Sequence, residues 1–247
     1  MAVFPDLAQP PGLAGLRSGR PVALFLDFDG TLVEIAPTPD AIVVPPGLAG
    51  QLERLDAALG GRLALVSGRA LDNIAQHLGS PAIARAGSHG ASCLLADGTR
   101  LGAEPQALPA VVLDSLAAFC GDHELEFERK QHGAAIHYRS SPELEARARG
   151  FATGLAEEHA LATKFGKCVV ELVRPGAGKA GAVQAFMAQA PFTGALPVFV
   201  GDDVTDEDGF RAVAELGGFG IKVGEGSETL AQYGLQSVAE VHAWLEL

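Results

Sequence analysis

The chain has only three cysteines in 247 residues, Cys93, Cys120 and Cys168. They are far apart, odd in number and without the paired spacing of a thiolate metal site, which argues against a disulfide framework and against zinc. Buried free thiols are the expected state. Cations are also scarce, with 18 Lys and Arg against 30 Asp and Glu and a formal net charge of -12. A nucleic-acid backbone or an anionic membrane surface would meet an opposing field, so neither is expected as a partner. A small anionic substrate stays compatible, because a few local cations and a bound metal can dominate a cleft. No apolar segment approaches membrane-spanning length, and the N-terminus lacks a basic stretch followed by an apolar run and a small-residue cleavage site. These absences point to a cytoplasmic protein, expected as a monomer.

Hydrophobic residues make up 48% of the chain and charged residues 19%, enough to bury a sizeable core. The length suits one core domain carrying a smaller insertion. Residues 1–20 are rich in Pro, Gly, Ala and Leu and read as a leader draped on the surface. Val22 to Leu26 is a short apolar run, as expected of a strand buried on both faces. Helical spacing of Leu48, Leu52, Leu55 and Leu59 predicts a helix from Pro46 to about Leu59, closed by Gly60-Gly61. Leu63 to Val66 and Leu196 to Val200 supply two further apolar strands. In the middle of the chain, Glu126 to Tyr138 and Cys168 to Val173 alternate polar and apolar residues, and Pro142 to His159 reads as helical. The expected organisation is an α/β core at residues 21–102 and 175–247, with a parallel central sheet, interrupted by a small α+β insertion at residues 103–174.

Each apolar strand ends in a polar loop: Asp27-Phe28-Asp29-Gly30-Thr31, Ser67-Gly68-Arg69, and Gly201-Asp202-Asp203-Val204-Thr205-Asp206-Glu207-Asp208. In open parallel α/β sheets ligands bind beyond the carboxyl ends of the strands, so these loops are expected to converge. Two carboxylates two residues apart suit a nucleophile or metal ligand beside a general acid and base. Gly30 allows a sharp turn, and Thr31 is placed to cap the next segment. Ser67 can donate to a phosphoryl oxygen. The acidic run packs like charges that need a cation, and oxygen-only ligands suit magnesium. Lys179 can neutralise both a carboxylate nucleophile and a phosphoryl group. Taken singly, an Asp-rich turn, a Ser-Gly turn and a lone lysine are more ordinary features.

Together the four motifs, in this order, resemble the haloacid dehalogenase superfamily of phosphotransferases. The resemblance implies a Rossmann-like core with a cap domain, Asp27 as nucleophile, Asp29 as general acid and base, and Ser67 and Lys179 as holders of the transferring phosphoryl group. It also implies Mg2+ held by the Asp27 carboxylate, the Asp29 backbone carbonyl and Asp202, with Asp203 and Asp206 as further candidate ligands. Within that superfamily, Glu128-Arg129-Lys130, His137-Tyr138-Arg139, Lys167 and the segment Glu171 to Pro175 resemble the trehalose 6-phosphate phosphatases. On that resemblance Glu128, Lys130, Arg139, Lys167 and Glu171 contact sugar hydroxyls or help place the phosphate. Gly87-Ser88-His89-Gly90 resembles the same family's Gly-x-His-Gly loop, which makes His89 a candidate contact; Arg69, in the serine motif, is another. Three positions depart from the pattern: Ala180, Ser88 and Gly209. Gly209 is expected to loosen the start of its helix by about 1 kcal/mol. The alternatives are a phosphatase of the same superfamily acting on mannosyl-3-phosphoglycerate or sucrose 6-phosphate, or a catalytically silent sugar-phosphate-binding regulator.

Overall fold

The computed structural model describes residues 7–103, 106–166, 168–176, 178–225 and 228–247, Pro39 by its backbone alone. The chain forms two compact units, residues 1–103 with 178–247, and residues 104–177.

The larger unit is built on an eight-stranded sheet with the order β12-β11-β10-β1-β2-β3-β4-β5. Its strands are β1 (Val22–Leu26), β2 (Leu63–Val66), β3 (Ala84–Gly87), β4 (Ser92–Leu94), β5 (Arg100–Leu101), β10 (Leu196–Gly201), β11 (Phe219–Val223) and β12 (Tyr233–Leu235). Pairing is parallel from β12 through β3 and antiparallel for β4 and β5. The all-apolar sequence of β1 follows from burial on both faces, since successive side chains point to opposite sides. Val22, Leu24 and Leu26 enter one core with Leu48, Leu52, Ile74 and Val241. Ala23 and Phe25 enter the other with Val183, Phe186 and Phe210. Helices α1 (Leu13–Gly19), α2 (Leu48–Ala58), α3 (Leu71–Leu78) and α8 (Val238–Leu245) therefore cover the first face, and α6 (Lys179–Met187) and α7 (Glu207–Glu215) the second. Each fully buried Leu or Phe contributes about 1.5–3 kcal/mol, so the central strands are the most strongly held part of the unit.

The N-terminal segment is less superficial than its composition suggests. It contains α1, whose Leu13 is buried in the first core with Leu16 packed against it. Gly234 donates its N–H to Ala8 O, and the Trp244 indole donates to Pro11 O. A short helix with two apolar residues at helical spacing is too brief to register as a periodic signal among glycines and prolines.

The smaller unit is an antiparallel sheet of order β6-β7-β9-β8, formed by β6 (Glu126–Arg129), β7 (Gly133–His137), β8 (Ala162–Gly166) and β9 (Val169–Val173). Helices α4 (Ala110–Asp122) and α5 (Glu145–Glu158) pack on one face through Val112, Leu116, Ala148 and Ala152 against Ala134, Ile136, Val170 and Leu172. Alternation sends Glu128, His137 and Glu171 to the opposite face.

Gly209 has a packing reason. An ideal Cβ at this position would lie 2.6 Å from the buried Phe199 ring, which also meets Phe210 edge-on. Gly209→Ala gains about 1 kcal/mol of helix propensity but incurs about 1–3 kcal/mol of overpacking in a core that cannot yield. The expected outcome is a net loss of about 1 kcal/mol in urea unfolding; a stabilised variant would show that propensity decides this position.

Candidate active site

β1 lies between β10 and β2, so the residues that follow these three strands emerge side by side. Asp27 directly follows β1 and donates its N–H to Val200 O, which extends the β1–β10 ladder by one residue. Ser67 follows β2, and Asp202 follows β10. The hydrogen-bond ladder that fixes these strands thus fixes the three candidate residues.

Lys179, the first residue of α6, is the centre of the arrangement. Its Nζ lies 2.8 Å from Asp27 Oδ1 and 2.6 Å from Asp206 Oδ1, and all three side chains are buried. Burial alone pushes the Lys179 ammonium towards neutrality, but Asp206 and Asp27 outweigh it and hold its pKa above the ordinary lysine range. Asp206 also shapes the backbone around it. Its Oδ2 accepts the Asp203 N–H at 2.9 Å, while the Asp203 side chain caps the Asp206 backbone. This reciprocal capping box fixes the turn between β10 and α7. Both Asp206 oxygens are therefore engaged, and Asp203 is solvent-exposed.

Asp202 stands apart from that pairing. One oxygen each from Asp27, Asp202 and Asp206 lie within 4.8 Å of one another, while Asp202 Oδ1 is buried and has no hydrogen-bond partner among the described residues. Burial, then the Asp206 and Asp203 charges, push the Asp202 carboxyl up to about 6, only partly offset by Lys179 and Lys222. Burial is also the main force raising Asp27, against the pull of Lys179. The cluster thus has more negative charge than its lysines neutralise. An orphaned buried oxygen beside an all-oxygen donor set is what a hard divalent cation requires. Gly30 makes room for the Asp202 carboxylate: at φ +73, a side chain here would occupy its place.

Asp29 is held by Arg69 in a bidentate pair, Nε to Oδ2 at 2.7 Å and a terminal nitrogen to Oδ1 at 2.6 Å. Arg69 is braced in turn by Asn73 Oδ1 at 2.6 Å from the start of α3. Ser67 is fully buried, and its Oγ accepts the Arg69 N–H at 3.1 Å. The Ser88-His89-Gly90 turn is tied to the same loop: Ser88 donates its N–H to Arg69 O and His89 to Ser67 O. The His89 ring packs over Gly68, where a Cβ would lie 2.6 Å from it. Ser88 has φ +50 and His89 φ +55, a left-handed conformation held by these two hydrogen bonds. Thr31 caps no helix; its hydroxyl is buried without a partner among the described residues, because the chain turns back in an Asp29–Val33 bridge.

In the smaller unit, Lys130 lies 3.1 Å from Glu171 and 3.8 Å from Glu128, and Glu128 pairs with His137 Nε2 at 2.9 Å. The His137 hydrogen bond is the largest cause of the lowered Glu128 pKa, followed by the opposing effect of burial and the help of Lys130. Arg139 is exposed in the turn after β7. Lys167 lies outside the described residues. Sequence reasoning misses three participants: Asn73, the pairing role of His137, and Lys222, whose ammonium donates to Asp202 O. Lys222 is signalled only by a charge inside the apolar run of β11; nothing local marks Asn73 or the partner of His137.

A family model for trehalose-phosphatase matches residues 25–239. The chain is 40% identical over 231 residues to the trehalose-6-phosphate phosphatase of Escherichia coli (strain K12), covering 91% of this chain and 85% of that protein. The C-terminal domain of the trehalose-6-phosphate phosphatase of C. albicans superposes with a TM-score of 0.80 at 20% identity, over 100% of this chain and 99% of that one. A phosphatase of the haloalkanoate (HAD) enzyme superfamily from Bacteroides thetaiotaomicron superposes with a TM-score of 0.62 at 16% identity, over 92% and 93%. With this fold and this extent of matching sequence, the chain belongs to the trehalose-phosphatase family, on the α/β scaffold of the haloacid dehalogenase-type phosphatases.

Proposed function

We propose that the chain hydrolyses trehalose 6-phosphate to trehalose and phosphate through an aspartyl-phosphate on Asp27. The observation that carries this reading is the buried Asp27–Lys179–Asp206 ion triad at the end of β1, beside an unpartnered Asp202 oxygen. A carboxylate oxygen of Asp27 attacks phosphorus, and the bond from phosphorus to the sugar oxygen breaks. Asp29 gives its proton to the departing alkoxide, then takes a proton from the water that attacks the phosphoenzyme. That second attack breaks the bond from phosphorus to Asp27 and restores its carboxylate. Lys179 and Ser67 hold the phosphoryl oxygens, and Lys179 limits repulsion between the nucleophile and an anionic substrate. Arg69 and Asn73 set the position of Asp29; an incoming phosphate competes for the guanidinium and frees the carboxyl group for proton transfer.

Asp27, Asp202 and the Asp29 backbone carbonyl are the proposed ligands of Mg2+, whose charge would stabilise the transferring phosphoryl group. Asp206 is assigned to Lys179 instead, because both of its oxygens are engaged. His89 reaches the site from the turn tied to Ser67. Glu128, Lys130, Arg139, Lys167 and Glu171 are proposed to recognise the disaccharide hydroxyls, for which a set of paired donors and acceptors is chemically suited. The polar face carrying Glu128, Lys130 and Glu171 favours a polyhydroxylated leaving group over an apolar one.

Mg2+ is expected to raise the melting temperature by about 5 °C or more at saturating concentration, by relieving carboxylate repulsion. Asp202→Asn should abolish that rise, and EDTA should stop turnover of the unaltered protein. A melting temperature indifferent to Mg2+ would contradict the metal assignment.

The covalent step has its own check. With an aryl phosphate, whose leaving group needs no protonation, Asp29→Asn should release about one equivalent of phenol in a burst and then stall. Mass spectrometry should find the phosphoryl group on Asp27, and Asp27→Asn should show no burst. Steady turnover by Asp27→Asn would sink the mechanism.

For the sugar site, Glu128→Gln or Glu171→Gln should lower kcat/KM for trehalose 6-phosphate by about tenfold or more. Turnover of an aryl phosphate should change little in the same variants. An equal loss on both substrates would remove these glutamates from sugar recognition.

A further inference from the structure

A second place in the larger unit gathers like charges, and here the charges are positive. A groove of about 370 Å3 opens where β1 and β2 begin, the end of the parallel strands opposite to Asp27. Arg17, Arg20 and Arg62 line it, and no carboxylate does among the described residues. On a chain with 18 cations and a net charge of -12, three guanidinium groups in one groove repel one another and call for an anion.

The arginines are placed by the fold. Arg17 lies in the last turn of α1 and donates to Ala58 O at 3.1 Å, which ties α1 to the end of α2. Arg62 lies back over the α2–β2 turn, where Gly60 at φ +66 leaves room for it; a Cβ there would stand 2.9 Å from its guanidinium. Arg62 Nε is buried and has no hydrogen-bond partner among the described residues. The acid that feels its charge, Asp56, is itself buried and accepts the Leu63 N–H at 2.9 Å. Ala14, Pro21 and Ala58 give the groove an exposed apolar wall, backed by the core residues Val22 and Leu59. Guanidinium groups present planar donors that match phosphate oxygens in pairs, and a groove of this size with apolar and polar walls accommodates a small molecule.

We propose that this groove binds a small phosphorylated organic anion of at least two negative charges, its phosphates on Arg17, Arg20 and Arg62 and its organic body against Ala14, Pro21 and Ala58. The site is separate from the phosphatase crevice and does not depend on the reaction assigned to it.

Isothermal titration calorimetry in EDTA buffer tests this directly, with inorganic pyrophosphate and ADP as probes. Without a divalent cation the catalytic carboxylates repel both. Saturable 1:1 binding is expected, tighter for ADP and weakened by added salt. The double variant Arg17→Gln/Arg62→Gln should weaken both probes by about tenfold or more. Arg20→Gln, at an exposed side chain, should weaken them by about threefold without affecting folding, as checked by circular dichroism. Ser67→Ala should bind as the unaltered protein does. Absent binding, unchanged affinity in the arginine variants, or loss of binding in Ser67→Ala would overturn the site. ADP binding no tighter than pyrophosphate would overturn the role given to Ala14, Pro21 and Ala58.

Discussion

The Lys179 ammonium, buried between Asp27 and Asp206, is the interaction on which the functional geometry rests. It joins the end of β1, the start of α6 and the turn after β10, three segments that the backbone ladder alone would leave independent beyond the sheet. A buried charge is tolerated only with a partner, and removing one partner from such a pair typically costs about 3–5 kcal/mol. Here each carboxylate secures the lysine for the other. Asp206, being fully occupied by Lys179 and the Asp203 N–H, holds the ammonium independently of Asp27.

That arrangement leaves a charge deficit with a definite location. Lys179 cannot neutralise Asp27, Asp206 and Asp202 together, and Lys222 directs its hydrogen bond to the Asp202 backbone rather than to its carboxylate. The Asp202 carboxyl is consequently raised to about 6, by burial first and by its acidic neighbours next. A third lysine would satisfy the charge but would fill the space with a flexible stem. A compact divalent cation satisfies it through oxygen contacts alone, and Gly30 lets the Asp202 carboxylate pack against the turn after β1.

Much of this is legible in the sequence because it is local. Short apolar runs ending in Asp27, Ser67 and Asp202 report strands buried on both faces, and the adjacency of their ends follows from parallel pairing. Alternation in β6, β7 and β9 likewise reports a sheet with one covered face. What cannot be read is long-range. Nothing in the spacing between Lys179 and Asp206 announces their pairing, so Asp206 reads only as a candidate metal ligand, and its hold on the lysine goes unread. The same holds for Asn73 behind Arg69 and His137 behind Glu128. Gly209 reads as a weak helix start because its cause, the Phe199 ring, lies on another element. The leader's Leu13 is hidden by the glycines and prolines around it.

On the reading proposed above, recognition divides along chemical lines. Around Asp27, the polar atoms suit a phosphoryl group, a feature common to all phosphate esters, and so carry no information about the alcohol. On the smaller unit, Lys130 already pairs with Glu171 and Glu128, and Glu128 with His137. Groups paired with one another hold their arrangement, and a sugar bound there would exchange its hydroxyls for these bonds rather than add to them. The net gain from a matching disaccharide would therefore be modest. An alcohol lacking one matching hydroxyl loses more, because it leaves a charged group in the network unpaired. Specificity of this kind arises from the penalty on wrong partners, and it requires carboxylates and cations interleaved on one face, which alternation along β6, β7 and β9 supplies.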